Sequence, residues 1–383
     1  MNDVAVCLFA WDFCDEGVDP LLERLAELGA TSIFLASVYH AGWFLLPHNP
    51  KRKCHFCEDG AAYFHPDASL YENTPLKPRI AEIAARTDWF EKVSRRLDTY
   101  GLRMTAWTVC NHNTPLGLAH PRHTVRNAFG DSYPHALTPA SEAVRRYIRA
   151  LAVDLAGRYR LRSVFLEAPN YRGRKHGHHH ERELVALGDL ENALFDVSFS
   201  EHDMAAACAA GVDAEHVRRR IRDHLHRYLG AAPDRPSDLP RTMEQFVERC
   251  PALVDYLAVL DARVTSLVTE IKDDLRPLDV ELEGVEPIAA YDTRVVGAYG
   301  RTPQEIARLT SEAKSKAAPH QRIRVGFRLG GDPPGQKPAI GNPEKARQCV
   351  RAAEENGADS IFFYNYSESP LVCLSWIRHA VSG

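Results

Sequence analysis

The chain has 383 residues, 45% hydrophobic and 26% charged, with a formal net charge of −4 at pH 7. That supplies a full-size core and gives no electrostatic reason to expect nucleic acid or an anionic membrane as a partner. No run approaches the roughly 18 apolar residues of a membrane span, and nine scattered cysteines suit reduced thiols in a cytoplasmic protein better than a disulfide framework.

The opening MNDVAVCLFAWDF has no basic start and reads as a buried strand, Val4 to Ala10, rather than a signal peptide. A helix from about Pro20 to Leu28 stops at Gly29, and SIFLASV (Ser32 to Val38) is the second strand. A long His-, Pro- and aromatic-rich loop, Tyr39 to Lys77, precedes a predicted helix from Arg79 to Tyr100. The third strand, Arg103 to Val109, leads into a loop carrying CNHNTPLG. A helix from Ser141 to Tyr159 leads to the fourth strand, Ser163 to Leu166.

From about Glu181 to Leu275 the pattern is helical, with a break near Ala231 to Pro240 and a last helix from Thr242 to Asp274. It reads as a helical insertion between strands four and five. Its basic stretch HVRRRIRDHLHRYL is most simply a solvated helix side. Val280 to Val285, Val295 to Ala298, Ile323 to Phe327 and Ser360 to Tyr364 complete eight strands. Helices begin at Pro303 and Pro343, and a final one contains LSWIRHAV. Strands alternating with helices predict one (β/α)8 TIM barrel over residues 1–383, with 181–275 as the insertion. No GxGxxG or GxxxxGK[ST] turn follows a strand, so a nucleotide site of those types is not indicated.

Barrel chemistry sits at the C-terminal strand ends. Those ends carry Trp11, Asp12, Tyr39, His40, Trp107, Asn111, His112, Asn113, Glu167, Asn170, Tyr171, Glu283 or Glu286, Asp292, Tyr299, Arg328, Asp332, Tyr364 and Asn365. The N-terminal ends show no such enrichment. Glu167 directly follows the apolar SVFL, where partial desolvation suits a general acid; the bland alternative is a carboxylate paired with Arg172 or Arg328. Aromatic faces pack on the C–H faces of sugars while the flanking Asn, His and Arg bond hydroxyls, so the ring of residues suits a carbohydrate, although each aromatic taken alone could simply close the core.

The run HGHHHE offers His178, His179 and His180 as substrate donors, with His176, His180 and Glu181 as weak metal candidates. An exposed His-rich loop is the third reading. Cys54-His55-Phe56-Cys57 is a lone CxxC, and two ordinary thiols are its simplest reading.

The Trp-Asp end of strand one, FLEAPNY at strand four and the closing GADSIFFYNYSESPLVCLSWI resemble the glycoside hydrolase-type TIM barrels, diffusely and over most of the chain. The resemblance implies Glu167 as acid/base. It also implies a glutamate nucleophile after strand seven, where this chain reads GFRLGGDPPG with Asp332 its only carboxylate. The expectation is hydrolysis of a small carbohydrate-like substrate without a cofactor. Glu167 acts as acid, and Glu283, Asp292 or Asp332 as the second carboxylate, their separation setting retention or inversion. Two rivals stand beside it: a metal-dependent sugar isomerase, epimerase or hydrolase using a divalent ion at the His-rich loop, and a non-catalytic sugar-binding barrel. A homo-oligomer is compatible with all three.

Overall fold

The computed structural model of the chain describes residues 3–175, 181–331 and 339–382. At its centre stand eight parallel strands: β1 (Val4–Leu8), β2 (Ser32–Tyr39), β3 (Arg103–Val109), β4 (Ser163–Glu167), β5 (Glu281–Gly284), β6 (Thr293–Gly297), β7 (Arg322–Phe327) and β8 (Ser360–Phe363). Each pairs with the next, and β8 pairs back onto β1 with Val4 opposite Ile361, so the sheet closes. The fold is the (β/α)8 barrel expected from the sequence. Every residue of β1 and β2 is buried, because helices cover the outside of the sheet while side chains fill its inside.

The interior is layered. At the floor, Arg324 lies between two carboxylates: its Nε is 2.9 Å from Glu283 and its Nη1 2.9 Å from Asp3. Above it Phe34 stacks on Phe362 at 5.5 Å and meets Phe165 at 5.7 Å. Phe362 fits only because β7 carries Gly326, where a Cβ would come within 2.1 Å of its ring. Over these rings the barrel opens at its C-terminal mouth.

Several connections differ from expectation. A first helix, Ala10–Glu16, follows β1 at once, and Gly17 (φ 91°) separates it from Val18–Glu27. The stretch expected as one helix from Arg79 to Tyr100 is broken. Arg79–Ile80 is a short strand, Trp89–Ser94 is the only α-helical part, and Glu82–Ala84 and Leu97–Tyr100 are 3-10 turns. Asp88 caps the helix by accepting from Glu91 N, which fixes its start well inside the predicted span. Two regions read as loops are hairpins, Gly42–Leu45 with Cys54–Cys57 and Thr124–Arg126 with Ser132–Leu137.

Between β4 and β5 run the helices Asp189–Phe195, Glu201–Ala209, Ala214–Ala231, Met243–Arg249 and Ala252–Leu275. The helix expected from Thr242 to Asp274 is split at Pro251, whose ring cannot continue the hydrogen-bond ladder. Leu194, Val217, Ile221, Leu225, Phe246 and Tyr256 belong to a second hydrophobic cluster within the insertion. The far half of Ala252–Leu275, through Val264, Leu267 and Ile271, packs on the barrel as its helix. A short turn, not a helix, joins β5 to β6.

Candidate functional site

Glu167 closes β4, and the chain turns sharply after it. Ala168 adopts φ 54°, a left-handed conformation that costs a non-glycine residue about 1 kcal/mol. Bonds from the end of β3 hold the turn: Cys110 N to Glu167 O at 2.9 Å and Asn111 N to Ala168 O at 3.0 Å. The Asn111 amide also donates to Pro169 O at 2.6 Å and Asn170 O at 3.2 Å. The Glu167 carboxylate is partly exposed and accepts the Trp107 indole N–H at 2.5 Å. Asn111 Oδ1 and Asn170 Oδ1 are buried acceptors with no partner among the described residues.

An aromatic wall surrounds Glu167. The Trp107 ring meets Tyr39 edge-on at 5.1 Å and Tyr364 at 5.8 Å, and Tyr364 meets Tyr299 at 5.8 Å. The hydroxyls of Tyr39 and Tyr364 lie 3.4 Å apart. Burial, then neighbouring charge including that of Glu167, pushes the phenols of Tyr39, Tyr299 and Tyr364 above their usual range, so all three stay neutral donors. At the rim His40 stacks on His112 at 4.6 Å. Arg328, at the end of β7 where the resemblance calls for a glutamate, lies 3.8 Å from Glu368, which also accepts from Asn365 Nδ2 at 2.6 Å.

The expected second carboxylates are not gathered here. Glu283 points into the barrel floor, fully buried, holding Arg324 and accepting from Ser163 Oγ at 2.7 Å. Asp292 precedes β6 at its N-terminal end, paired with Lys272 at 2.6 Å and capping Leu282 N at 2.7 Å. Asp332 lies outside the described residues. The carboxylate at the mouth end of β5 is Glu286. Tyr291 OH donates to it at 3.0 Å, and the Tyr291 ring lies across Gly284, where a Cβ would come within 2.0 Å of it. Burial is the main cause raising the Glu286 pKa. The buried Cys110 thiol, at the end of β3, is pushed up by desolvation and then by the charges of Glu286 and Glu167 together. The sequence signal for Glu286 was its place two residues past the end of β5.

Other expected ligands are engaged within the protein itself. Trp11 and Asp12 sit within the first helix and are buried. Asp12 accepts Phe9 N at 2.9 Å and Ser367 Oγ at 2.6 Å, and burial pushes its pKa up to about 7. Asn113 caps the helix Thr114–Ala119 through Leu116 N. Tyr171 donates to Asp203 at 2.8 Å; that buried carboxylate also accepts from Thr138, Ser198 and Ser200 and so ties the insertion to the segment after β4. His176, His178, His179 and His180 lie outside the described residues, and Glu181 is exposed. Among the described residues no three His, Cys, Asp or Glu side chains group as metal ligands. The CxxC cysteines sit on opposite faces of one strand, Cys54 exposed and Cys57 buried, as two separate thiols.

A cavity of about 680 Å³ opens on the opposite, N-terminal face, but its arginines are consumed by neighbours: Arg103 and Arg162 by Asp3, Arg160 by Asp98 and Arg322 by Glu281. Among the described residues no helix is long and apolar enough to cross a membrane.

No family model matches the chain, and no curated protein matches it. Solved structures do. The β-galactosidase of the psychrophilic Marinomonas ef1 superposes with a TM-score of 0.59 at 12% identity, over 99% of this chain and 58% of that one. The α-L-fucosidase isoenzyme 2 of Paenibacillus thiaminolyticus gives 0.56 at 12%, over 99% and 49%. The glycoside hydrolase domain of PgaB (BpsB) from Bordetella bronchiseptica gives 0.51 at 14%, over 94% and 93%. The chain thus spans about half the length of the first two and nearly all of the third. At these identities the likeness is one of architecture, and the chain has the fold of the glycoside hydrolase-type TIM barrels.

Proposed function

We propose that the protein hydrolyses a glycosidic bond at the barrel mouth, with Glu167 and Glu286 as the carboxylate pair. The observation that carries this reading is one of placement: Glu167 closes β4, and Glu286 follows the neighbouring β5 by two residues, at the same end of the barrel. Leu166 is in register with Gly284, so Glu167 and Glu286 leave β4 and β5 one residue out of step, across a spacing of about 4.8 Å between strands. The aromatic wall offers apolar faces for sugar rings, and the Tyr hydroxyls offer partners for sugar hydroxyls.

The electrostatics divide the roles. Glu286, raised by burial, keeps its proton to higher pH and serves as the acid. Glu167 accepts the indole N–H of Trp107 and serves as the base. In single displacement, Glu286 passes its proton to the leaving oxygen as the bond to the anomeric carbon breaks. Water adds to that carbon and gives its proton to Glu167. The sequence reading gave the acid role to Glu167; Glu286 is half-buried as well, and the desolvation that raises its pKa favours the reverse.

The test is turnover of a panel of aryl glycosides by Glu167→Gln and Glu286→Gln. Glu167→Gln abolishes turnover and still binds sugar. Glu286→Gln loses activity on poor leaving groups and retains much of it on dinitrophenyl glycosides, which need no acid. Normal activity in Glu167→Gln would overturn the assignment.

A further inference from the structure

We infer that the hairpin formed by Gly42–Leu45 and Cys54–Cys57 carries an outer subsite for a neutral glycan chain, so that the substrate is an oligo- or polysaccharide and not a single-sugar glycoside. The inference rests on the glycosidase reading above.

Strand alternation gives the hairpin two unlike faces. Phe44 and His55 point inward and pack on Trp11, with ring centroids at 5.2 and 4.4 Å. Trp43, Leu45 and Phe56 point outward and are 54%, 56% and 75% exposed. Trp43 stands directly opposite Phe56, and their rings lie 29° from parallel at 6.5 Å, two flat apolar faces side by side. Nothing in folding asks for this outer face to be apolar; polar side chains would fold as well and would avoid exposing it to water.

Three observations choose a glycan as occupant. The surface is continuous with the mouth, because His40, at the foot of the hairpin, stacks both on Tyr39 of the wall and on His112. The loop joining the two strands carries three cations, and all turn back onto the protein. Lys51 reaches Cys14 O, Lys53 reaches Asn49 O, and Arg52 reaches Asp15. The outer face therefore offers rings without committed charge, which suits a neutral ligand with C–H faces. The face is also small: three apolar side chains fall well short of the roughly 800 Å² per partner that a stable dimer buries.

The experiment compares Trp43→Ala/Phe56→Ala with the unaltered protein on one sugar presented in two forms, as a p-nitrophenyl monoside and as its hexasaccharide, across glucose, galactose, xylose and N-acetylglucosamine series. For the series that is turned over, the hexasaccharide-to-monoside ratio of kcat/KM falls about 10- to 100-fold, carried by KM, as expected for the loss of two stacking rings. An unchanged ratio overturns the inference. Calorimetry of the hexasaccharides with Glu167→Gln, with and without the double substitution, reads the subsite without turnover. At least tenfold weaker binding in the double variant supports it, and no binding to either overturns it. Sedimentation velocity completes the set: a dimer of the unaltered protein that the double substitution converts to monomer would mark the face as a subunit contact and overturn the glycan assignment. Turnover lost by Glu167→Gln on both substrate forms, with no effect of the hairpin substitution, would leave the glycosidase reading standing alone.

Discussion

The indole N–H of Trp107 points at Glu167 Oε2 from 2.5 Å, across the pair of strands β3 and β4. The register sets Trp107 opposite Phe165, two residues below the carboxylate, so the long indole reaches up the barrel to meet it. The same ring stands in the aromatic wall, so one side chain serves both the carboxylate and that wall.

Trp107→Phe keeps most of the wall and removes the donor. A hydrogen bond to a charged group is worth about 1.5–3 kcal/mol. The variant is expected to lose about 10- to 100-fold in kcat with a smaller change in KM. A KM effect alone would show that the ring only packs against substrate.

Glu283 and Glu286 lie three residues apart and should behave as opposites. Glu283→Gln leaves the buried Arg324 guanidinium short of a counter-charge and is expected to cost roughly 3–5 kcal/mol of stability, read by urea unfolding. Glu286→Gln should unfold at nearly the unaltered urea concentration while erasing the alkaline limb of the pH–rate profile. In the unaltered protein that limb lies above the ordinary carboxylate range, because burial raises Glu286 and activity falls as pH climbs through its proton loss. An alkaline limb that survives Glu286→Gln would remove this residue from the acid role.

Gly284→Ala drives a methyl into the Tyr291 ring, 2.0 Å from its Cζ. Overpacking of this kind costs about 1–3 kcal/mol. Tyr291 would have to swing away, taking its hydrogen bond off Glu286, so the alkaline limb should shift together with the loss of stability. A full loss of stability with an unmoved pH profile would show that Tyr291 only packs.

Asp12 makes stability depend on pH. Its folded pKa of about 7 lies above the unfolded value, so the folded state holds the proton more tightly. Its contribution is fully present below about pH 4 and is lost as pH rises through 7, up to roughly 4 kcal/mol in all. Asp12→Asn mimics the protonated form, so the unaltered protein should lose stability relative to this variant between pH 4 and 7. Parallel melting curves for the two proteins across that range would refute the shift.

The barrel was legible because most of its strands are apolar runs set between turn signals, and even the short, Glu-containing β5 fell within its predicted span. Glu167 was legible because a carboxylate follows SVFL without a break. A second carboxylate was legible only as a choice, Glu283 or Glu286 at the strand-five end beside Asp292 and Asp332. Glu283 and Asp292 have the right residue type near the right strands, but which end of a barrel a side chain serves depends on register and on the pleat, and Arg324 and Lys272 claim these two from elsewhere in the chain. Trp11 and Asp12 were misplaced because the chain enters a helix directly after β1, with Asp12 bonding back to Phe9 N. The hairpin at Thr124–Arg126 and Ser132–Leu137 had a readable signal in the Asn127–Asp131 turn between alternating residues.

Glu167 closes β4 and Glu286 follows the adjacent β5 by two residues, yet β4 ends and β5 begins more than a hundred residues apart. Bringing the two edges together in an open chain would cost loop-closure entropy before any contact repaid it. The insertion shortens that span once it has collapsed around its own cluster of Leu194, Ile221, Leu225 and Tyr256. The seam between β4 and β5 is therefore expected to be among the last to zip, and the carboxylate pair to assemble late in folding. Pulsed amide exchange during refolding should protect Ala214–Ala231 before Glu281–Gly284, and protection in the reverse order would show that the barrel closes without help from the insertion.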